Sequence, residues 1–121
     1  MQDNPCTACL YHQHSHSLPG DEDIIELSDF FAVLGSQARL KILLALDGQE
    51  LCAGHLAEAV GMSPSAVSNQ LKALKAARLV NVRREGKMLY YSLADCHPRA
   101  IIHLAMSHVK EDGGNDRAAA L

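Results

Sequence analysis

Four side chains near the C-terminal end of the sequence could together bind a metal ion: Asp95, His97, His108 and Glu111. Carboxylate and imidazole groups are good ligands for a borderline divalent metal such as zinc. The surrounding residues predict a helix from about Cys96 to Lys110, capped by Asp95, with Pro98 tolerated in its first turn. The chemistry of this helix therefore depends on how the four ligands are spaced along it.

His97 and His108 are eleven residues apart, close to three full turns, so they share one face of the predicted helix. They are separated by about 16 Å along the axis, which ligands bound at about 2 Å to one ion cannot bridge. Two antiparallel copies of the helix could form the site, because Asp95 and His97 of one copy would meet His108 and Glu111 of the other. Each dimer would then hold two closed four-ligand sites, which suit a structural or regulatory zinc ion. The alternative is an ordinary polar helix face.

A second group of metal-seeking side chains lies in residues 1–20, which show neither a helical nor a strand period. Its thiols and imidazoles are Cys6, Cys9, His12, His14 and His16. This density of thiols and imidazoles favours metal binding. No second Cys or His pair follows at zinc-finger spacing. The alternative is a flexible tail with incidental histidines.

The segment Leu51–Arg78 predicts two short helices with a tight turn between them, the first of which is expected to include Leu51. Gly61 would stop the first helix, Ser63 would cap the second, and Pro64 suits its first position. The second helix carries one apolar face, formed by Val67, Leu71 and Leu74. Its other face is polar and basic, which suits the major groove of DNA, although an ordinary hairpin with a solvated face would look similar.

A β-hairpin with a basic tip is predicted next, from Val80 to Leu93, with its turn at Glu85-Gly86-Lys87. A helix-turn-helix followed by such a hairpin is the order of a winged helix. We expect the polar residues of the helix to contact base edges and the basic residues of both elements to contact phosphates. The predicted DNA-binding residues are Ser65, Ser68, Asn69, Gln70, Lys72, Lys75, Arg83, Arg84 and Lys87.

Charge is distributed unevenly in the chain, whose net charge is −3. Residues 63–87 contain six Lys or Arg and one acid, whereas residues 1–30 contain six acids and no Lys or Arg. Basic charge concentrated on the predicted DNA face is the pattern of a specific binder. With 121 residues, we expect one small domain that gains from dimerisation.

Two further helices are predicted before this segment. The first, Asp21–Leu34, has an apolar face wider than a small monomer needs, which suggests a dimer contact. The second, Gln37–Leu46, would be capped by Ser36, with Leu40, Leu43 and Leu44 pointing inward. The domain organisation is therefore a flexible Cys/His-rich tail over residues 1–20, a winged-helix and dimerisation domain over 21–111, and a disordered tail over 112–121.

The location expected for the protein is the cytoplasm. The sequence shows neither a secretory signal nor an apolar run long enough to span a membrane. In that compartment the four cysteines are expected to be thiols or metal ligands, because structural disulfides are rare there.

These features together resemble the ArsR/SmtB family of metal-responsive winged-helix repressors, over about Asp21 to Glu111. The resemblance rests on the segments FFAVLGSQARLKILLAL, ELCAGHL and SPSAVSNQLKALKAARLV, and on the spacing of the four ligands in the final helix. It implies a homodimer that binds an inverted-repeat operator on double-stranded DNA. It also implies release of that operator when Zn(II), or alternatively Cd(II), Pb(II) or Co(II), binds, which would derepress metal efflux or sequestration genes.

The resemblance also implies a second metal site, in the segment ELCAGHL. The family pattern has a further cysteine or an aspartate here, whereas this sequence has Cys52 alone and His55 at the aspartate position. We expect Cys52 and His55, three residues apart, to lie on one helix, where they could bind one ion, completed by Cys6 and Cys9 or the nearby histidines of the other subunit's tail. Thiolate ligands would favour Cd, Pb or Zn. The alternative is that Cys52 is a small buried apolar residue.

Two other functions are compatible with parts of the sequence. A metal-sequestering protein would explain the tail but would leave the basic winged helix unused. A thiol-based redox or persulfide sensor on the same fold would need Cys52 and Cys96 to meet. An enzyme is not expected, because no metal with an open position and no nucleophile with an oriented base is evident. Cys96 and His103 fit neither metal site and are interpreted as structural.

Overall fold

Helices and a small sheet alternate along the chain in the computed structural model, which describes residues 17–120, with only the backbone for 112–120. The elements are α1 Asp21–Leu34, α2 Gln37–Ala45, β1 Leu51–Cys52, α3 Ala53–Val60, α4 Pro64–Ala76, β2 Val80–Glu85, β3 Met88–Leu93 and α5 Cys96–Ala120. Helices α3 and α4 form the helix-turn-helix, and β2 and β3 form the wing. The predicted winged helix is confirmed.

Local signals in the sequence set most of the helix ends. Ser36 and Ser63 begin α2 and α4, where their hydroxyl oxygens accept hydrogen bonds from the backbone N–H groups of Arg39, at 3.3 Å, and Ala66, at 3.2 Å. Pro64 occupies the start of α4, where no amide hydrogen is needed. Gly61 ends α3 with a φ of 72°, a left-handed conformation that glycine adopts without steric cost.

The core lies between α2, α3 and α4 and is closed by the sheet and α5. Its buried residues are Ile42, Leu43, Leu46, Leu56, Ala57, Val67, Leu71, Leu74, Leu79, Val80 and Ile102. Burying one Val or Leu side chain typically stabilises a fold by roughly 1.5–3 kcal/mol, so this cluster fixes how the helices pack. Of the three leucines predicted to point inward from α2, Leu43 is buried, whereas Leu44 is exposed on the outer side of the helix.

The sheet has a third strand that the sequence did not predict. Strand β1 pairs antiparallel with β3, so that Leu51 lies opposite Tyr91 and Cys52 opposite Tyr90, and β3 also pairs with β2. The expectation that Leu51 belongs to the first helix of the helix-turn-helix is therefore wrong. A strand of two residues has no period of its own, and it forms only because β3 supplies its hydrogen-bond partners.

Helix α5 continues to Ala120, beyond the end predicted at Lys110. Residues 112–120, predicted as part of a disordered tail, have a helical backbone instead. The expected end relied on Gly113 and Gly114, but a glycine inside a helix costs only about 1 kcal/mol relative to alanine. The three alanines at 118–120 favour a helix, because alanine has the highest helix propensity.

Two helices keep apolar side chains outside the core. Helix α1 has no fully buried residue, and Ile25, Leu27 and Phe31 are each more than half exposed. An apolar groove of about 440 Å³ runs between α1, α2 and α5, with Phe31, Leu44, Met106 and Val109 in its wall. Within residues 17–120, none of the helices combines the length and hydropathy needed to cross a lipid bilayer.

Asp47 joins the end of α2 to α5. One carboxylate oxygen, Oδ2, lies 2.5 Å from Nε2 of His103, and the other, Oδ1, lies 2.8 Å from Nε of Arg99. The hydrogen bond from His103 holds the pKa of Asp47 below its usual value against the effect of burial, and the charge of Arg99 lowers it further. His103, interpreted as structural from the sequence, does tie α5 to the core.

We expect Asp47→Asn to destabilise the protein at pH 7 and to flatten the loss of stability in acid. Asp47 has a lower pKa when folded than the value near 3.9 of an unfolded chain, so its contribution is complete above that pH. The contribution is lost as pH falls through the folded-state pKa. Urea unfolding at fixed protein concentration from pH 7 to pH 2 would measure both effects. Glu58→Gln, at an exposed position on α3, is the matched control, and equal pH slopes for wild type and Asp47→Asn would contradict the expectation.

Candidate DNA-binding surface and metal sites

Helix α4 presents a polar and basic surface because its apolar stripe is fully used by the core. Val67, Leu71 and Leu74 are at most 2% exposed. Five of the predicted DNA-binding residues of this helix are exposed: Ser65, Ser68, Asn69, Lys72 and Lys75. They leave amide, hydroxyl and ammonium groups on the outer side of α4, which are groups that bind base edges and phosphates.

Gln70 differs from the other predicted DNA-binding residues of α4. It is half-buried at the edge of the apolar stripe, and its Oε1 accepts a hydrogen bond of 2.9 Å from Nε of Arg39 on α2. The amide oxygen of Gln70, which was expected to contact DNA, is therefore hydrogen-bonded within the protein. Sequence reasoning did not identify Arg39, because its partner lies 31 residues away along the chain.

The three basic residues of the wing are placed differently from one another. Arg83 lies between two carboxylates, with Nη2 2.9 Å from Glu50 and Nη1 2.7 Å from Glu85, and its guanidinium stacks over the ring of Tyr90 at 4.9 Å. Hydrogen bonds from Arg83 lower the pKa of Glu50, and the two carboxylates raise the pKa of Arg83. Arg83, expected at a phosphate, is therefore engaged within the protein.

Arg84 and Lys87 are exposed near the tip of the wing. The turn between the strands is closed by Gly86, whose φ of 63° is a left-handed conformation that suits glycine. These two side chains and those of α4 form the basic part of the candidate DNA-binding surface.

Asp95 and His97 form one half of the candidate metal site at the start of α5. Asp95 caps the helix, because its Oδ1 accepts a hydrogen bond of 2.8 Å from the backbone N–H of His97. The same oxygen lies 3.4 Å from Nδ1 of His97. Two ligands of one tetrahedral zinc ion, each bound at 2.0–2.1 Å, are about 3.4 Å apart, so the two side chains fit a shared ion. Both are mostly exposed and accessible to one.

His108 and Glu111, the other half, are exposed three turns further along α5. Within one chain, the described residues contain no group of three or more His, Cys, Asp or Glu side chains that could hold a metal ion. The pair at Asp95 and His97 would therefore need further ligands from outside this part of the chain.

An open cavity of about 600 Å³ adjoins the Asp95 and His97 pair. Its wall includes Glu26 and Asp29 of α1 and Arg78, which follows α4 with a φ of 61° where glycine is more usual. Two carboxylates of α1 thus line the same cavity as the candidate ligands. Sequence reasoning assigned them only to the acidic N-terminal part of the chain.

The second candidate metal site is only partly described. Cys52 is the last residue of β1 and immediately precedes α3, so the expectation that Cys52 and His55 share one helix is wrong. Cys52 is 8% exposed, as the alternative of a small buried apolar residue expects, whereas His55 is exposed on α3. The other proposed ligands lie outside the described residues: Cys6, Cys9, His12, His14 and His16.

The alternative of a thiol sensor needs Cys52 and Cys96 to meet. In residues 17–120 both are free thiols, and Cys52 is buried while Cys96 is exposed at the start of α5. Nothing in this placement favours a disulfide between them.

Comparison with known proteins identifies the family to which the winged-helix part of the chain is similar. The sequence model described as "Bacterial regulatory protein, arsR family" matches residues 36–82, from the cap of α2 into the wing. A Synechocystis protein named "Transcriptional repressor SmtB homolog" is 43% identical over 86 residues, which are 71% of this chain and 65% of that protein. A Staphylococcus aureus protein named "Cadmium resistance transcriptional regulatory protein CadC homolog" is 34% identical over 89 residues, 72% of this chain and 73% of that protein.

A solved structure from Mycobacterium bovis has the same fold. It is a homodimeric winged helix-turn-helix DNA-binding domain that aligns with a TM-score of 0.71 and 28% identity, covering 79% of this chain and 92% of that one. The family match over residues 36–82 contains the helix-turn-helix and the start of the wing. The chain belongs to the ArsR family of bacterial regulatory proteins.

Proposed function

We propose that the protein is a metal-sensing transcriptional repressor whose metal-free dimer binds an inverted-repeat operator and releases it when Zn(II) binds. The observation that carries the proposal is the Asp95 and His97 pair, whose Oδ1 and Nδ1 atoms are 3.4 Å apart at the start of α5. Two matching ligands, His108 and Glu111, lie too far along the same rigid helix to reach that pair within one chain.

Relatives support the repressor part of this proposal. One is named a transcriptional repressor, and another a cadmium resistance regulatory protein. We infer that this chain likewise acts on DNA in the cytoplasm and responds to a metal ion. Among the metals, Cd(II), Pb(II) or Co(II) are the alternatives to Zn(II), because nitrogen and oxygen ligands accept several divalent ions.

A dimer is the assembly that the proposed site requires. The apolar groove beside Phe31 and Met106 and the exposed apolar side chains of α1 would be covered by a second copy. If the two α5 helices pack antiparallel across the two-fold axis, Asp95 and His97 lie near His108 and Glu111 of the partner subunit. Each dimer then has two equivalent sites.

Release from DNA follows if the metal binds one arrangement of the two subunits better than another. A ligand that bound both arrangements equally would shift nothing. Because the proposed site joins two α5 helices, its occupancy restrains how the subunits, and with them the two α4 helices, are oriented. Couplings between sites are typically about 1–3 kcal/mol, enough to change operator affinity 5- to 150-fold.

The roles on DNA can be separated by two substitutions. We expect Asn69→Ala to cost roughly 1–3 kcal/mol on the operator and to relax preference at one base pair, because an amide can pair with one base edge. Arg84→Ala should weaken binding to operator and to random DNA equally. It should also lower the salt dependence of the affinity by the amount expected for about one phosphate contact. Binding isotherms on both DNAs at several salt concentrations measure this. Identical behaviour of the two variants would contradict the assigned roles.

For the metal site, we expect His97→Ala and His108→Ala each to leave a dimer that binds the operator but is not released by zinc. Each variant removes one imidazole from both sites of the dimer. Operator affinity with and without zinc, for wild type and both variants, is the measurement. Lys110→Ala is a control on the same helix, because Lys110 is exposed and is not a ligand of the proposed site. Full release of both variants by zinc would move the switch elsewhere.

Mixing the two variants tests whether the site joins two subunits. A mixed dimer has one site with both imidazoles, from His97 of one subunit and His108 of the other, and one site with neither. We therefore expect the mixture to regain zinc binding at one ion per mixed dimer, although each variant alone has lost it. A site formed within one chain predicts no recovery.

The N-terminal tail can be tested by removing residues 1–16. The described elements begin at Asp21, so we expect the shortened protein to dimerise and bind the operator as before. It should lose the absorbance band of cadmium bound to several thiolates, because only two cysteines then remain, the buried Cys52 and the exposed Cys96 on a different element. Full retention of that band would show that the tail is not needed. Cys52→Ser in the full chain is the companion variant.

A further inference from the structure

Arg39, which no DNA-binding or metal-binding assignment includes, connects helices α1, α2 and α4. It lies in the first turn of α2, half-buried, and its guanidinium points away from that helix. Nε donates a hydrogen bond of 2.9 Å to Oε1 of Gln70 on α4, and Nη1 donates one of 3.4 Å to the carbonyl oxygen of Val33 in the last turn of α1. One side chain therefore binds both the helix that faces DNA and the helix whose apolar face is exposed.

The two contacts provide hydrogen-bond donors for two oxygen atoms, the carbonyl of Val33 and the side-chain amide of Gln70, that have no donor within their own helices. The last four carbonyl groups of a helix have no intrahelical donor, and Val33 belongs to that part of α1. Gln70 lies at the edge of the buried stripe of α4, where its amide oxygen is turned toward α2. A hydrogen bond from a charged donor is stronger than one between neutral groups, so Arg39 holds both at defined positions.

We propose that Arg39 is a positioning residue that fixes the orientation of α4 relative to α1, and thereby the preference of the protein for its operator. A guanidinium is planar and donates in several fixed directions, so it can bind Gln70 and Val33 together; an ammonium at the same place cannot reproduce that geometry. The inference rests on the proposed role of α4 in binding DNA. It assigns Gln70 to the support of α4 and not to a base edge.

The proposal distinguishes positioning from a direct contact of Arg39 with phosphate. A phosphate contact would survive in Arg39→Lys, and its loss in Arg39→Met would lower the salt slope by about one contact. Positioning predicts a different pattern. Both variants should reduce the ratio of operator to random-DNA affinity by about tenfold, with the salt slope of random-DNA binding unchanged.

The experiment measures binding of the full-length variants to operator and random DNA across a salt series, well below each variant's unfolding temperature. Lys72→Met, on the exposed face of α4, is the control for a lost phosphate contact, and Lys41→Met, exposed on α2, controls for the change of charge near Arg39. A merely structural role would lower the unfolding temperature but leave the affinity ratio unchanged. That outcome, or a lowered salt slope in Arg39→Met, would overturn the proposal.

Gln70→Leu provides an independent check. If Arg39 acts through Gln70, this variant should reproduce the loss of preference, and the double variant Arg39→Met/Gln70→Leu should lose little more than either single variant. Additive losses would show that the two residues act separately and would contradict the proposal. Failure of the proposed function looks different, because wild type itself would then not prefer the operator and Asn69→Ala would have no effect.

Discussion

Burial of one apolar stripe on α4 determines which side chains form the candidate DNA-binding surface of that helix. Val67, Leu71 and Leu74 are packed against α2 and α3, so the opposite side of the helix must face solvent. With 3.6 residues per turn, that requirement turns Asn69 and Lys72 outward. It also leaves Gln70 at the boundary, where Arg39 can reach it. The position of every polar side chain on α4 is thus a consequence of which side is apolar.

The rigidity of α5 is the second constraint. A straight helix keeps its two pairs of candidate ligands about three turns apart, so no rearrangement within the helix can bring them together. The same helix forms part of the apolar groove beside α1. The proposed dimer contact and the candidate ligands therefore share one element, which would couple metal binding to the arrangement of the subunits.

The segment from Asp47 to Cys52 is held at both ends by charged partners. Asp47 is mostly buried and contacts Arg99 and His103 of α5, whereas Glu50 is partly exposed and contacts Arg83 of the wing. Exposed ion pairs contribute little to stability on their own. Together with the pairing of β1 and β3, however, these contacts fix the path of the segment. The burial of Cys52 is a result of that path and does not depend on the neighbouring residues alone.

Much of this protein follows from short-range signals in the sequence. The starts of α2 and α4, the stop at Gly61 and the turn of the wing each depend on residues a few positions apart, so they can be predicted from sequence. The spacing of the candidate ligands on α5 follows from the regular period of the helix. The contacts that sequence did not reveal join distant positions: Arg39 to Gln70 across 31 residues, Arg83 to Glu50 across 33, and His103 to Asp47 across 56. A two-residue strand such as β1 likewise has no local pattern and exists only through its partner. The sequence by itself therefore determined the helices, the wing and the candidate ligands, whereas the tertiary structure decided which polar side chains remain exposed, because only packing brings their competing partners within reach.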